Sequence, residues 1–469
     1  MSRSYIYNIQ LQEDVQLVAD IGLNSYRFSI SWPRIFPKGR GTPNEEGVRY
    51  YHNLINELIR RGVQPFATIF HWDVPQALED EYGGFLSRKI IEDYKNYVQF
   101  LFKEYGNKVK RWITFNEPQM FILRGYGNGM FAPGHCTPDL KIGDMEYVCP
   151  AGDSIREPYT VGHNMLLAHA EAVKIYKEQF LAGQQGEIGI TLVTTWYEPY
   201  DDNPLDKEAQ IRALDFNVGW IVDPLMFGDY PLSMRALVGE RLPIFTKEES
   251  ELLTSHKNDF IGINYYTARY AKHMPFDPNF RPKIYTEDGR YDTLTHRGDV
   301  PIGPAETDSW VNVYPKGLTK QLQCIRDRYN NIPVYITENG VLEYVQELEK
   351  LIAAGIVLSE PLEDIYRTEY LISHIQEVED AIRDGVNVKG YFVWSLLDCF
   401  EWSDGYTARF GIVHIDYTNI KNPDLTRTPK GSASWLKRFL ANKIKKQPKP
   451  VVYDVVPGIK KAQPGVVKV

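Results

Sequence analysis

The chain has 469 residues, a length that one barrel of eight strand–helix repeats with insertions accommodates. Its 53 basic and 61 acidic residues give a formal charge of −8, which disfavours general binding to nucleic acids or anionic membranes. No apolar run reaches the roughly 18 residues that a membrane-spanning helix needs. The four cysteines are too few for a disulfide scaffold, although Cys136 and Cys149 flank one loop and are candidates for a pair.

The start of the chain shows no basic segment followed by an apolar core, so residues 1–12 do not resemble a signal peptide. The sequence also contains no Asn-x-Ser/Thr acceptor site for glycosylation. These two features, together with the absence of a membrane-spanning apolar run, predict a cytoplasmic or other intracellular protein. An amphipathic helix is expected from Glu13 and Asp14 through Leu17 to Ile21.

A short apolar run followed by a longer amphipathic helix then recurs along the chain. In one cycle, Asn44 is expected to cap a helix that Gly62 ends, and Pro65 precedes the apolar strand 66–70. Strands that alternate with helices predict a parallel sheet covered by helices. The expected apolar stripe of this helix comprises Val48, Tyr51, Leu54, Ile55, Leu58 and Ile59.

Seven such strands are predicted, and a polar or aromatic cluster follows each one. In a (β/α)8 barrel the active site is built at the carboxyl ends of the strands, where these clusters are expected to lie. The strands begin near Ser25, Pro65, Arg111, Ile188, Asp259, Pro333 and Val388. The clusters are Arg27 with Trp32, His71-Trp72-Asp73, Asn116-Glu117, Trp196 with Glu198, Asn264 with Tyr266, Glu338-Asn339, and Trp394.

Two of these clusters carry a glutamate directly after an apolar strand, with an asparagine beside it. Glu117 precedes Pro118, which ends the strand, and Glu338 stands before Gly340, which is expected to free the backbone to turn. Glycoside hydrolysis needs two carboxyl groups, one protonated and one ionised, across the scissile bond. Glu117 and Glu338 are therefore the candidate catalytic pair.

The end of the chain has a different composition. Residues 442–469 contain seven lysines, four prolines and one aspartate, which predicts a disordered or surface-draped tail. Residues 1–441 are expected to form a single barrel domain.

Several motifs in this order resemble those of the family 1 glycoside hydrolases. The resemblance covers nearly the whole chain, and the segment from His71 to Gln76 and the loop between Cys136 and Cys149 are most similar to the plant branch. The motifs are Tyr26-Arg27-Phe28-Ser29-Ile30-Ser31-Trp32, His71-Trp72-Asp73-Val74-Pro75-Gln76, Thr114-Phe115-Asn116-Glu117-Pro118, Asn264-Tyr265-Tyr266-Thr267, Ile336-Thr337-Glu338-Asn339-Gly340, Trp394-Ser395-Leu396-Leu397-Asp398, Glu401-Trp402 and Arg409-Phe410-Gly411.

The resemblance implies a retaining β-glucosidase that acts on β-D-glucosides of a bulky plant-type aglycone. Glu117 would be the acid/base, and Glu338 the nucleophile that forms a covalent glucosyl-enzyme, with the two carboxyls roughly 5–5.5 Å apart. The implied supporting residues are Arg27 and Tyr266 at the nucleophile, Asn116 at the sugar 2-hydroxyl, and Asn264 in the same hydrogen-bond network. The implied glucose-binding residues are His71, Trp394, Glu401 and Trp402.

Two variants of the family differ from this chain at single positions. Plant thioglucosidases carry glutamine where this chain has Glu117. Phospho-β-glycosidases need cationic or hydroxylic phosphate contacts near the position of Trp402, and an indole supplies no such charge.

The resemblance also implies a first strand carrying a glutamine that binds glucose, and the sequence shows no counterpart to it. The chain begins almost directly in the helix before Tyr26. Seven strands leave a gap in an eight-stranded barrel, so the expected fold is a (β/α)8 barrel lacking its first strand.

Three functions stay open at this stage: a hydrolase, a catalytically impaired or non-enzymatic glycoside-binding relative, and a transglucosidase. The expected ligand is a small-molecule β-glucoside, with no cofactor, no metal, no nucleic acid and no membrane as partner, and an oligomer is possible. The ten histidines lack the paired spacing of a zinc site.

Overall fold

A computed structural model describes residues 3–275, 277–306, 309–344, 362–415, 417 and 425–446. Its strands are β1 (Ser25–Ser29), β2 (Gln64–Phe70), β3 (Arg111–Asn116), β4 (Leu140–Ile142), β5 (Met145–Tyr147), β6 (Glu187–Pro199), β7 (Phe260–His273), β8 (Tyr291–Leu294), β9 (His296–Arg297), β10 (Val300–Pro301), β11 (Val334–Asn339), β12 (Glu343–Tyr344), β13 (Val388–Val393), β14 (Ala408–Arg409), β15 (Val413–Ile415) and β16 (Arg427–Pro429).

The α-helices fill the segments between these strands. They are α1 (Arg3–Ile21), α2 (Trp32–Ile35), α3 (Glu45–Arg60), α4 (Gln76–Tyr82), α5 (Lys89–Tyr105), α6 (Pro118–Ile122), α7 (Glu157–Ile175), α8 (Leu181–Gln184), α9 (Pro204–Leu214), α10 (Trp220–Phe227), α11 (Leu232–Val238), α12 (Lys247–Ser255), α13 (Pro315–Arg328), α14 (Ile365–Arg383) and α15 (Gly431–Lys446). No helix among the described residues is long and apolar enough to cross a lipid bilayer.

Seven of the strands form a nearly closed parallel barrel in the order β1-β2-β3-β6-β7-β11-β13, with β8 paired antiparallel to β7. All seven begin within one residue of the predicted positions, and the predicted barrel fold is confirmed. Within the described residues β1 pairs only with β2, and β13 pairs only with β11. The expected gap therefore lies between β1 and β13.

Aromatic side chains from different strands fill the barrel interior. Phe66 of β2 meets Phe260, Tyr335 and Phe392 edge to face, with ring centroids 5.2–5.6 Å apart. Such edge-to-face contacts between buried rings add to the free energy of burial. The layer ties β2, β7, β11 and β13 together below their carboxyl ends, so that the residues at those ends rest on a packed base.

Helix α3 shows where the local sequence reasoning held and where it did not. The helix begins at Glu45, directly after Asn44 as predicted, and buries most of its predicted stripe. The predicted cap is wrong in detail, because the Asn44 amide donates to the carbonyl of Arg34 (3.1 Å) and accepts no helix N–H. Ile59 is 45% exposed and lies outside the buried stripe, at the edge of the helix.

Helix α15 carries the chain five residues past the predicted end of the barrel domain. It continues to Lys446, whereas the sequence placed the boundary after residue 441. Residues 447–469, most of the predicted tail, lie outside the described residues.

The long loop after β3 is closed by a disulfide. Cys136 and Cys149 are bonded, with their Cα atoms 5.4 Å apart, and they enclose the small hairpin of β4 and β5. The bond settles the pairing that the sequence left open.

Candidate active site

Glu117 and Glu338 lie at the carboxyl ends of β3 and β11, where the ladder register shifts. In β3 the shift against β6 falls between Ile113 and Asn116. In β11 the shift against β7 falls between Ile336 and Glu338. Irregularities of this kind re-aim side chains next to functional sites. They explain how two glutamates at strand ends both face the barrel mouth.

Glu338 is held by two donors, one on each oxygen. Arg27 Nη1 donates to Glu338 Oε1 at 2.6 Å, and the Tyr266 hydroxyl donates to Oε2 at 2.5 Å. The Glu338 residue is only 4% exposed. A guanidinium and a phenol that both donate to one buried carboxylate suit a group that carries negative charge. The structure thus brings these three predicted residues together.

Glu117 has a different environment. Its backbone adopts the left-handed region (φ 43°), and Pro118 follows it at the start of α6. The Glu117 side chain accepts one hydrogen bond, from Asn264 Nδ2 at 2.7 Å. Burial, and then the negative charge of Glu338, raise the pKa of Glu117 to about 8. A non-glycine residue in this strained backbone region is typical of a functional position.

Asn116 and Asn264 link the two glutamates. Asn116 Oδ1 accepts from Arg27 Nη2 (2.5 Å) and from Asn264 Nδ2 (3.2 Å). The Thr337 hydroxyl donates to Asn264 Oδ1 at 2.7 Å and so fixes which end of that amide faces Glu117. Sequence reasoning missed Thr337, although its place beside Glu338 on β11 was the available signal.

His71 lies against the same network as a neutral ring. Burial and the nearby charge of Arg27 lower the pKa of His71 to about 3. Its Nε2 lies 3.1 Å from Asn116 Nδ2, which donates to it, so the ring proton sits on Nδ1. His71 therefore presents a donor at Nδ1, as a hydroxyl-binding residue needs.

Glu401 and the two predicted tryptophans complete the mouth of the site. Burial, and then the charge of Glu338, raise the pKa of Glu401 to about 7. Trp394 and Trp402 both stack against His71, at ring-centroid distances of 6.3 and 5.9 Å. The four predicted glucose-binding residues are thus grouped around one opening.

Two aromatic residues extend this wall, and sequence reasoning assigned them no role. The ring centroids of Trp72 and Trp402 are 4.3 Å apart, and Phe131 stacks on Trp402 with the ring centroids 5.2 Å apart. The Trp72 N–H also donates to the carbonyl of Asn116 (2.8 Å). Trp72 stood within a noted cluster, whereas Phe131 lies in the loop between α6 and Cys136, which carries no strand-end signal.

Gly340 has a different function from the one expected. Its backbone does not adopt a positive φ angle, and a Cβ atom at this position would collide with the carbonyl oxygen of Trp394. The glycine is therefore required by the close approach of two backbones and not by an unusual turn. The contact holds the residues after β11 against Trp394.

One predicted cluster does not belong to the site. The Trp196 indole donates to Glu198 at 2.9 Å, and Glu198 also accepts from Tyr314 and pairs with Lys320. The reason is the length of β6: Thr191 is level with Asn116, and the strand then runs on to Pro199. Trp196 and Glu198 are carried beyond the barrel mouth, where they brace α13.

The fold and the paired glutamates together are the arrangement of a glycoside hydrolase. Residues 4–445 match the model of glycosyl hydrolase family 1. The chain belongs to this family, as its motifs predicted.

Curated plant β-glucosidases are similar to the chain over most of its length. β-Glucosidase 12 of Oryza sativa subsp. indica is 53% identical over 431 residues, which are 92% of this chain and 81% of that protein. The furostanol glycoside 26-O-β-glucosidase of Hellenia speciosa is 51% identical over 431 residues, 92% of this chain and 73% of that protein.

Solved structures of β-glucosidases share the fold. A glutamate-to-glutamine mutant of a rice β-glucosidase, in a covalent complex with glucose, matches with a TM-score of 0.85 and 40% identity over 92% of this chain and 87% of that chain. A family 1 β-glucosidase of the fungus Humicola insolens, in complex with glucose, matches with a TM-score of 0.83 and 41% identity over 93% and 87% of the two chains.

Proposed function

We propose that this chain is a retaining β-glucosidase in which Glu338 is the nucleophile and Glu117 the acid/base. The observation that carries the proposal is the contrast between the two buried carboxyls. Glu338 accepts from Arg27 and Tyr266, whereas Glu117 accepts from one neutral amide and has its pKa raised to about 8. The surroundings of Glu338 therefore suit an ionised carboxylate, and those of Glu117 suit a protonated carboxylic acid.

In the first step Glu338 attacks the anomeric carbon of a bound β-D-glucoside. The bond from that carbon to the aglycone oxygen breaks, and Glu117 gives its proton to this oxygen. The products of the step are the free aglycone alcohol and a glucosyl ester on Glu338. Arg27 and Tyr266 hold the attacking carboxylate in place, which favours attack from one face.

In the second step water attacks the anomeric carbon and gives a proton to Glu117, while Glu338 leaves as a carboxylate. Formation of the ester removes the negative charge of Glu338, which is one of the causes of the raised pKa of Glu117. The pKa of Glu117 therefore falls between the two steps, and the same group changes from acid to base. Two displacements at one carbon retain its configuration.

The glucose ring is held by the group around His71 and Glu401. His71 offers its Nδ1 proton, the Glu401 carboxyl faces the same opening, and Trp394 lies beside them as the aromatic floor. Asn116 is placed between Arg27 and His71, where its amide meets the 2-hydroxyl. A wrong sugar leaves these buried polar groups unpaired, and this discriminates strongly against it.

The aglycone side of the opening is aromatic, which supports a bulky and largely apolar leaving group. Phe131 stacks on the outer side of the glucose-binding Trp402, which is 36% exposed, and Trp310, in edge contact with Tyr266, is 44% exposed. Flat exposed rings of this kind bind apolar ligands by stacking. The furostanol glycoside named for one relative has an aglycone of this bulky kind.

The test is an assay of the purified chain with a chromogenic β-glucoside, beside Glu338→Gln and a matched control, Glu198→Gln. Glu198 is also a glutamate on a barrel strand, but it contacts Trp196, Tyr314 and Lys320. We expect Glu338→Gln to lose about 10⁴-fold or more in kcat/KM, and Glu198→Gln to keep most of the activity. Turnover by the chain no faster than by Glu338→Gln would refute the hydrolase function.

A further inference from the structure

The short segment that carries Trp310 is tied to strand β7 just after Tyr266. The Asn312 amide donates to the Thr267 hydroxyl oxygen at 2.9 Å, and that hydroxyl donates to the Asn312 carbonyl at 3.1 Å. The Trp310 ring lies against the Tyr266 ring, with their centroids 5.5 Å apart. Because the Tyr266 hydroxyl donates to Glu338, the exposed indole of Trp310 lies one side chain away from that carboxylate.

Arg269, further along β7, binds the same segment with its side chain. Nη2 donates to the carbonyl oxygen of Trp310 at 2.6 Å, and Nη1 donates to Asn312 Oδ1 at 3.0 Å. The donors of a guanidinium lie in one plane at fixed angles. The two bonds therefore fix both ends of the segment 310–312 relative to β7.

The carbonyl of Trp310 has no second donor within the part of the chain that the structure describes. This carbonyl and the indole belong to one residue, and the backbone conformation of a residue sets the direction in which its side chain projects. The direction of the Trp310 ring therefore depends in part on the Arg269 guanidinium.

Arg269 holds this place without a counter-ion. The residue is half-buried, and its hydrogen-bond partners are neutral oxygens of Thr267, Ala268, Trp310 and Asn312. Within the described ranges it forms no ion pair with a carboxylate. Burial of such a charge costs stability, and departures of this kind occur at functional sites. The segment that the guanidinium positions explains it better than a gain in stability does.

We propose that Arg269 is a positioning residue for the aglycone, because it holds Trp310 as a platform beside the nucleophile and so sets the affinity for flat, aromatic aglycones. A ring that is already in place binds a flat ligand without a further loss of conformational freedom. The glucose ring is held by other residues, among them His71 and Glu401, and its affinity does not depend on Arg269. The proposal rests on the aromatic aglycone side proposed above and is independent of turnover.

The test compares two ligands with the same sugar, methyl 1-thio-β-D-glucoside and 2-naphthyl 1-thio-β-D-glucoside. Their sulfur linkage is cleaved slowly, so calorimetry on the full chain measures binding apart from turnover. Arg269→Met keeps the length of the side chain and removes its donors. We expect it to raise the Kd of the naphthyl ligand by about 5- to 10-fold, the scale of one aromatic contact, and that of the methyl ligand by less than about twofold. Arg269→Lys keeps the charge without the fork and should lie between.

Arg212→Met is the matched control. Arg212 is also half-buried and donates to two carbonyls, those of Gly289 (3.0 Å) and Arg290 (3.1 Å), but it does not bind the Trp310 segment. We expect this variant to leave the Kd of both ligands unchanged. In a Trp310→Ala background, Arg269→Met should change the Kd of the naphthyl ligand by less than about twofold, because the platform is already lost.

Three results overturn the proposal. They are an equal loss for both ligands in Arg269→Met, a loss that persists in the Trp310→Ala background, and a natural chain that gains no affinity from the naphthyl group. If Arg269→Met does not fold, Arg269→Lys decides the question, and an unchanged preference for the naphthyl ligand then overturns the proposal. A natural chain that binds the naphthyl ligand more tightly but turns over no chromogenic glucoside refutes the hydrolase function alone.

Discussion

Glu338 and Glu117 are both buried glutamates at the ends of barrel strands, yet their surroundings differ in kind. A cation and a phenol donate to the two oxygens of Glu338, while Glu117 receives one neutral amide. The negative charge of Glu338 acts in addition to burial in raising the pKa of Glu117 to about 8. Burial is the larger cause of this raised pKa, and the charge of Glu338 adds to it, so the role of Glu117 depends in part on its partner.

After the loss expected for Glu338→Gln, the largest effect is expected from Glu117→Gln, because it removes the proton donor and leaves the nucleophile intact. With a β-glucoside whose leaving group is a poor one, kcat should fall by about 10³-fold. With a dinitrophenyl glucoside, which needs no protonation, formation of the glucosyl-enzyme should remain fast, and its hydrolysis should become slow. Stopped-flow absorbance then shows a burst of dinitrophenol. Equal losses for both substrates would contradict the assignment of Glu117 as the acid.

A smaller effect is expected from Tyr266→Phe, which deletes one of the two donors to Glu338. The loss of a hydrogen bond to a charged group should lower kcat/KM by roughly 10- to 100-fold. Tyr265→Phe is the matched control, since this buried neighbour donates to the carbonyl of Tyr314 and not to the site. Steady-state kinetics compare the two variants. Similar activity of both would show that Tyr266 does not support the nucleophile.

The pH dependence of kcat/KM should report the protonation of Glu117. The pKa of this group is raised, so the acid form dominates below about pH 8 and is lost above it. We expect kcat/KM to fall towards a tenfold loss per pH unit above about pH 8. Glu401→Gln, which removes the group with a pKa of about 7, should keep this alkaline limb. A flat profile between pH 8 and 10 would show that Glu117 is not the titrating acid.

The smallest effect concerns stability. Since folding raises the pKa of Glu117, its stabilising contribution is complete below the pKa of the unfolded chain, near 4.5, and is lost as the pH rises through about 8. Glu117→Gln does not titrate, so it should be more stable than the natural chain at pH 9 by at least about 1 kcal/mol, and by less at pH 5. Urea denaturation at the two pH values measures the difference. An equal difference at both would show that Glu117 carries no raised pKa in the folded chain.

The strands and the site residues that follow them could be predicted because both depend on local pattern. Pro65 and the apolar run after it place β2, and Asn116-Glu117 places one half of the site directly after β3. The family motifs then assign the remaining partners, and the structure brings Arg27, Tyr266 and Asn264 to the two glutamates. The assigned roles themselves stay predictions.

Features that depend on long-range geometry could not be predicted. The length of β6 carries Glu198 away from the site, because the level of the barrel mouth on β6 is set by its pairing with β3 and not by its own segment. Phe131 joins the aromatic wall by stacking on Trp402, a contact between residues far apart in the chain that the segment around Phe131 does not indicate. The sequence also left the Cys136–Cys149 disulfide open. The Asn44 amide donates to the Arg34 carbonyl and does not cap α3. Residue spacing alone does not decide between these two nearby partners.

The most direct test of the two roles is to locate the trapped sugar. The chain is incubated with a 2-deoxy-2-fluoroglucoside bearing a good leaving group, which slows the second step more than the first, and is then digested and sequenced by mass spectrometry. The account predicts a mass increase of one fluoroglucosyl group on the peptide containing Glu338, at that residue. A label on Glu117, or turnover with no covalent label on either glutamate, would contradict it.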